Sequence, residues 1–286
     1  MHIDQAQNLR NLVKKSKEVR VISVASGKGG VGKTYISVNL AIALSRYGIN
    51  VLIVDADFGL ANVDIMLGVT SKFDVSYFLR REKTLGEIIQ LGHEGVRFIS
   101  GGSGINTLLN MGEDQLSELL SGIMGLDTPV DIIILDAGAG INDNVMQLIL
   151  ASSETIIVTT TEPTAILDAY ALVKTIVKRD NTYPLHVVIN KCDNIKEGTR
   201  VQTGFIDVVG RNLGKNINPL GFIMQDQNVP LSVKRQLPII VSNPICQTSR
   251  EISAIARAIL DISAPPKTNN LLSKIFSRLT TGGITV

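Results

Sequence analysis

The chain has 286 residues, 44% of them hydrophobic and 19% charged, a globular composition with length for one large α/β domain or two small ones. No apolar run reaches the roughly 18 residues of a spanning helix, no basic-then-apolar leader opens the chain, and Cys192 and Cys246 form no CxxC, so a soluble cytoplasmic protein without a disulfide framework or zinc knuckle is expected. The net charge of +2 divides into +3 over residues 1–20, −4 over the body and +3 from Pro265 onward, which argues against nucleic-acid binders, whose basic residues cover a whole face.

Residues 1–18 place Ile3, Ala6, Leu9 and Val13 at near-helical spacing with Arg10, Lys14, Lys15 and Lys17 around them. This reads as a detachable amphipathic helix that docks a partner, or as a helix packed on the body. Strands are predicted over 19–25, 50–55, 96–100, 130–136, 155–160, 185–190 and 219–223, with helices such as 33–47, 113–124, 164–178 and 245–260 between them. Strands apolar on both faces and separated by helices predict a mostly parallel sheet covered by helices on both faces, one domain spanning 19–263. Residues 264–270 (Ala-Pro-Pro-Lys-Thr-Asn-Asn) read as a linker. Over 271–286, Leu271, Leu272, Ile275, Phe276 and Leu279 form one apolar stripe with Lys274 and Arg278 on the polar side. That is the pattern of a membrane-targeting interfacial helix, or of a tail that folds back on the body. Five such side chains supply several kcal/mol at roughly 1.5–3 each, less the ordering cost. One copy is marginal, whereas two copies joined by dimerisation bind far better.

Within this frame, Ser26-Gly27-Lys28-Gly29-Gly30-Val31-Gly32-Lys33-Thr34 fits G-x-x-x-x-G-K-[ST] at Gly27, Gly32, Lys33 and Thr34, directly after a strand and opening a helix. Glycines let backbone N–H groups turn inward around phosphate oxygens and the helix offers its positive end. Lys33 then reaches the outer phosphates and the Thr34 hydroxyl binds Mg²⁺. Lys28 is not required by that pattern. With it, the loop resembles the deviant Walker A loop of the MinD/ParA family of ATPases, a P-loop NTPase fold.

The resemblance implies ATP/ADP and Mg²⁺ as ligands, nucleotide contacts along Gly27, Lys28, Gly29, Gly30, Val31, Gly32, Lys33, Thr34 and Tyr35, and an ATP-sandwiched homodimer in which Lys28 acts on the partner subunit's nucleotide. The Asp55-Ala56-Asp57 stretch resembles the family's first switch, in which Asp57 aims the attacking water. Asp136-Ala137-Gly138-Ala139-Gly140 resembles the second, whose acid holds Mg²⁺ through water, with Gly138 where the family often has Pro. Asp55 either joins Thr34 and Asp136 at the metal or caps the following helix. Asn190 matches the adenine-contacting Asn, and Gln225 and Asp226 occupy the place where base and ribose are enclosed, after Met224 in place of a common Pro.

Asp4, Gln5, Ala6, Leu9 and Arg10 match D-Q-A-x-x-L-R, and together with Tyr35 and the 161–172 stretch they resemble the FlhG (FleN/YlxH) branch, MinD-like regulators of flagellar number and placement. That resemblance implies a slow Mg²⁺-dependent ATPase whose N-terminal segment stimulates the GTPase FlhF through Asp4, Gln5, Leu9 and Arg10. It further implies flagellar switch-ring (C-ring) partners and an ATP-state location on anionic lipid at the inner face of the cytoplasmic membrane, near basal bodies or poles. The main rival is a ParA-like partition ATPase that binds DNA nonspecifically, at odds with the acidic body.

Overall fold

Strand β1 (Arg20–Ser26) is buried almost end to end and pairs in parallel on both sides, with β5 (Ile132–Ala139) and β6 (Glu154–Thr160). In the computed structural model, which describes residues 19–57, 62–102, 113–126 and 128–262, the remaining strands are β2 (Val51–Ala56), β3 (Gln90–Leu91), β4 (Arg97–Ile99), β7 (Leu185–Cys192) and β8 (Asn218–Met224). They form one sheet in the order β3-β4-β2-β5-β1-β6-β7-β8, parallel throughout except for the β3–β4 edge pair.

Helices α1 (Lys33–Arg46), α2 (Val63–Leu67), α3 (Val75–Leu79), α4 (Leu85–Ile88), α5 (Glu113–Met124) and α6 (Asp143–Ala151) occur in the first half of the fold. Helices α7 (Pro163–Arg179), α8 (Ile195–Leu213), α9 (Asn228–Lys234), α10 (Ile239–Ser242) and α11 (Gln247–Asp261) follow. Two apolar layers result. One holds α1, α2, α10 and α11 against one face of the sheet through residues such as Leu40, Ile240 and Ile255. The other holds α3 to α8 against the opposite face through Leu119, Ile149, Leu172 and Phe205. This is the helix-covered parallel sheet expected from strands apolar on both faces.

The expected strands are present, with ends moved by up to three residues. The largest change is at β5, which continues to Ala139 because Asp136 pairs with Val24 and Asp55, Ala137 with Ala56, and Ala139 with Ser26. Asp136 therefore stands inside the sheet rather than at the end of its strand. The N-terminal segment with Asp4, Gln5, Leu9 and Arg10, the linker, and the stripe of Leu271, Leu272, Ile275, Phe276 and Leu279 lie outside the described residues. Among the described residues no helix is long and apolar enough to cross a membrane.

Opposite the carboxyl ends of the strands, a buried charge cluster ties β1, β6, β7 and α11 together. Arg20 pairs with Glu154 through Nε and through Nη2 (2.8 Å to Oε2), while its Nη1 donates to the Ile259 carbonyl at 2.7 Å. His186 Nε2 lies 2.8 Å from Glu154 Oε2, and since an ionised carboxylate only accepts, that nitrogen carries the hydrogen. Burial pushes the Glu154 carboxyl up, but hydrogen bonds from Arg20 and His186 outweigh it and hold it below its ordinary value. Its contribution to stability is therefore complete above the unfolded value of 4.5 and is lost as pH falls through the lower folded value. Glu154→Gln should cost about 3–5 kcal/mol by stranding the Arg20 charge. In urea melts the difference from wild type should shrink as pH drops below that range, and a pH-independent difference would refute this account.

Candidate functional site

Between Ser26 at the end of β1 and Lys33 at the start of the 14-residue α1, the chain wraps into a loop around the helix's positive end. Two of its glycines are needed for distinct reasons. A Cβ on Gly27 would stand 2.3 Å from the backbone carbonyl of Asp168 in α7, so only glycine lets that helix pass. Gly32 has φ +94, and a Cβ there would sit 2.4 Å from Asn190 Nδ2.

Lys33 is buried, with Nζ 3.1 Å from Asp136 Oδ1, 3.5 Å from the Thr34 hydroxyl and 4.0 Å from Asp57 Oδ2. Asp136, fully buried, also accepts the Thr34 hydroxyl at 2.6 Å on Oδ2 and the Ser37 hydroxyl at 2.7 Å on Oδ1. Asp57 is half-buried, and its carboxyl is raised by burial, with Lys33 opposing and Asp136 adding to the rise. Asp55, the neighbour of Asp136 across β2 and β5, is different. Its Oδ1 accepts the Asp57 N–H at 3.2 Å and its Oδ2 accepts those of Asn62 and Val63 at 2.8 and 3.0 Å. Burial and the charge of Asp136 push it up to about 7 against these three donors. Of its two readings, the geometry realises the cap: Asp55 anchors the chain entering α2 and does not line the cleft.

That cleft has a volume of about 640 Å³, a size typical of small-molecule sites. Gly29, Gly30, Gly32, Lys33, Thr34, Tyr35 and Asp57 line it, as do Asn190, Lys191, Met224, Gln225 and Asp226 on a second wall. Gly27, Lys28 and Val31 do not. Val31 is buried and gives its carbonyl to Asn190 Nδ2 at 2.8 Å. Lys28 turns outward and donates to Glu162 Oε2 at 2.9 Å and to the Thr164 hydroxyl at 3.0 Å, an exposed arrangement that holds the Glu162 carboxyl below its usual range.

On the second wall, Asn190 has spent one amide hydrogen on Val31, and its Oδ1 takes the Lys191 N–H at 2.9 Å. Asp226 is committed too: Oδ1 accepts from Asn228 N and Nδ2, both at 2.8 Å, and Oδ2 accepts the Thr248 hydroxyl at 3.0 Å. It shapes the wall rather than offering open oxygens. Tyr35 lines the cleft, and its hydroxyl is buried beside Ser232, whose own hydroxyl donates to the Val229 carbonyl at 2.8 Å. Sequence reasoning missed Ser37, one helical turn beyond Lys33, and Lys191, which follows Asn190 near the end of β7 and lines the cleft. The Cys192 thiol, pushed up to about 12 mainly by burial, has no metal-ligand character.

Thr34, Asp57 and Asp136 present only oxygen donors, the set that suits Mg²⁺. Among the described residues no three His, Cys, Asp or Glu converge as a self-sufficient metal cage.

Sheet, loop and cleft together define a P-loop nucleotide-binding α/β domain. The chain belongs to the CobQ/CobB/MinD/ParA nucleotide binding domain family, which matches residues 22–239. Among characterised relatives it is similar to Antiactivator FleN of Pseudomonas aeruginosa, 33% identical over 91% of this chain and 93% of that one. It is also similar to Flagellum site-determining protein YlxH of Helicobacter pylori, 34% identical over 74% of this chain and 72% of that one. The fold resembles septum site-determining protein MinD of Pyrococcus horikoshii, solved as a complex with Mg-ADP, with TM-score 0.72 and 25% identity over 85% of this chain and 97% of that one. The FleN and YlxH relatives carry the names of the branch to which the D-Q-A-x-x-L-R resemblance points.

Lys33→Ala removes the cation between Asp57 and Asp136 and the group that would meet phosphate. Phosphate release from ATP should fall to background and nucleotide affinity by roughly a hundredfold, as expected for a lost buried charge contact. Normal turnover by this variant would sink the assignment of the cleft.

Proposed function

We propose that this chain is a Mg²⁺-dependent ATPase that works as a molecular switch: ATP joins two copies, the dimer settles on the membrane, and slow hydrolysis releases it. The observation that carries this reading is the division of labour between two lysines of one loop. Lys33 points inward at Asp136 and Asp57, whereas Lys28 points outward, lines none of its own cleft and is half-exposed. A cation placed there is available to a second subunit's nucleotide. Its contacts with Glu162 and Thr164 are solvent-exposed and weak in water, so leaving them costs little.

The chemistry follows from the cleft. Lys33 would exchange Asp136 for phosphate oxygens, with the loop's N–H groups and the start of α1 completing the anion site. Thr34 and Asp136 would hold Mg²⁺, Asp136 through water, which when bound neutralises charge on the phosphate oxygens. Asp57, 4.0 Å from Lys33 and raised by burial, would orient the attacking water. The relatives named for flagellar site determination and antiactivation support placing this switch in the control of flagellar number and location, through FlhF, with switch-ring proteins as further partners. The segment 1–18 would carry the FlhF-stimulating residues and 271–286 the lipid-binding stripe.

The test is co-sedimentation with anionic liposomes in ATP and in ADP, with wild type, Lys28→Ala and protein lacking residues 265–286. Pelleting should require both ATP and the tail, and Lys28→Ala should retain nucleotide binding yet fail to dimerise or hydrolyse ATP. If wild type pellets in neither nucleotide, the membrane-switch reading fails, and retention on nonspecific DNA instead would establish the partition-type alternative. Full turnover by monomeric Lys28→Ala would refute the trans role of that lysine.

A further inference from the structure

Beyond its first turn, the buried side of α1 is apolar with two exceptions, Ser37 and Asn39. Short polar side chains are disfavoured in a helix interior, so each needs a reason to be there. Asn39 has a structural one. Its Nδ2 donates to the Tyr35 carbonyl at 2.8 Å, and its Oδ1 accepts the Ile240 N–H at 3.2 Å, which docks α10. Ser37 instead reaches into the sheet. Its hydroxyl lies 2.7 Å from Asp136 Oδ1 and 3.1 Å from the Lys33 carbonyl one turn back. A hydroxyl has one hydrogen to give, and the shorter contact, to the acid, takes it.

The Asp136 side chain has three partners among the described residues, and α1 supplies them all. Lys33 and Ser37 meet Oδ1 at 3.1 and 2.7 Å, and Thr34 meets Oδ2 at 2.6 Å. Positions 33, 34 and 37 stand at the i, i+3 and i+4 spacing that brings side chains to one face of a helix. The three differ in what a nucleotide would ask of them. Lys33 and Thr34 line the cleft, and in the proposed cycle one turns to phosphate and the other to the ion. Ser37 lies behind them, fully buried, and does not line the cleft. Its hydrogen bond is therefore the one that Asp136 would keep when the other two partners are drawn away. That bond fixes Oδ1 against α1 and leaves Oδ2, the oxygen on Thr34, on the side of the ion.

We propose that Ser37 is a positioning residue for the divalent ion: by holding Asp136 Oδ1 it fixes the orientation in which this acid meets Mg²⁺ or a water bound to it. The proposal rests on the nucleotide-switch reading of the same cleft and adds to it a residue that touches neither nucleotide nor metal. Hydrogen bonds that hold a metal-binding carboxylate in one orientation govern metal affinity by roughly ten- to a hundredfold. Ser37 would thus set how much Mg²⁺ the chain needs, while the affinity for the phosphates themselves rests on Lys33 and the loop's N–H groups.

The experiment follows the fluorescence of N-methylanthraniloyl-ADP on the full chain, in EDTA and across a Mg²⁺ titration, for wild type and Ser37→Ala. Alanine suits a helix interior better than serine, and binding of the probe in EDTA reports that the variant is folded. Wild type should bind the probe more tightly as Mg²⁺ is added. In Ser37→Ala the Mg²⁺ concentration at half-effect should rise about tenfold. Its affinity in EDTA should stay within about threefold of wild type, because the groups that meet phosphate are untouched. A residue that only packs α1 onto β5 would lower the affinity in EDTA and in Mg²⁺ together. That outcome overturns the proposal, as does an unchanged Mg²⁺ requirement, and in both cases the nucleotide site stands. If wild type does not bind the probe, or binds it without regard to Mg²⁺, the nucleotide-switch reading falls and the role of Ser37 with it.

Discussion

The rest of the site depends on how one fully buried acidic side chain is supplied with partners. Asp136 stands within the sheet, and its compensation comes from the Lys33 ammonium and the hydroxyls of Thr34 and Ser37, all from the first turns of α1. A buried carboxylate without such partners would carry a desolvation penalty of several kcal/mol. The same contacts dock α1 and the phosphate loop onto β5. They also define what binding must do, because drawing Lys33 onto phosphate strips Asp136 of its counter-charge. In the proposed cycle a divalent cation held by Thr34 and Asp136 would restore the balance, which would couple phosphate and metal through one buried acid.

Sheet topology puts that acid where a ligand can reach it. β1 lies between β5 and β6, and the crevice beyond the carboxyl ends of these strands is where α/β sheets place ligands. Asp55 and Asp136 pair side by side on β2 and β5, and two like charges so close cannot both stay ionised without help. The chain solves this asymmetrically. Asp136 receives a cation and two hydroxyls, whereas Asp55 receives three backbone N–H groups and is still pushed up to about 7. One acid is left to the ligand and the other to the loop.

Much of this was legible in the sequence wherever the signal is local. The apolar strands, the glycine pattern and the lysines at 28 and 33 report a phosphate loop because the spacing itself encodes the geometry. What escaped depends on contacts between distant segments. The Arg20–Glu154–His186 cluster joins residues 134 positions apart in the chain, and neither partner looks unusual alone. The 19-residue α8 is weakly signalled, because Gly198, Gly204 and Gly210 depress its helix propensity. Yet a Cβ on Gly198 would stand 2.6 Å from the Phe222 ring, so packing on β8 demands what propensity disfavours. The extension of β5 through Asp136 likewise needed its neighbours on both sides to be seen.

The two lysines of the loop differ in the environment they would leave, and that difference orders the proposed cycle. Lys33 is buried against a buried acid, so its transfer to phosphate has to be concerted with the arrival of a replacement cation. Lys28 leaves an exposed carboxylate and a hydroxyl that water replaces at once. The first exchange depends on the whole Mg-nucleotide and the second on whatever presents a phosphate at the outer surface. Nucleotide capture would then be the selective step, with subunit pairing following readily from it. In a chain without a partner Lys28 would stay on its own Glu162, and a partner already carrying nucleotide would offer a stronger anion to draw it away.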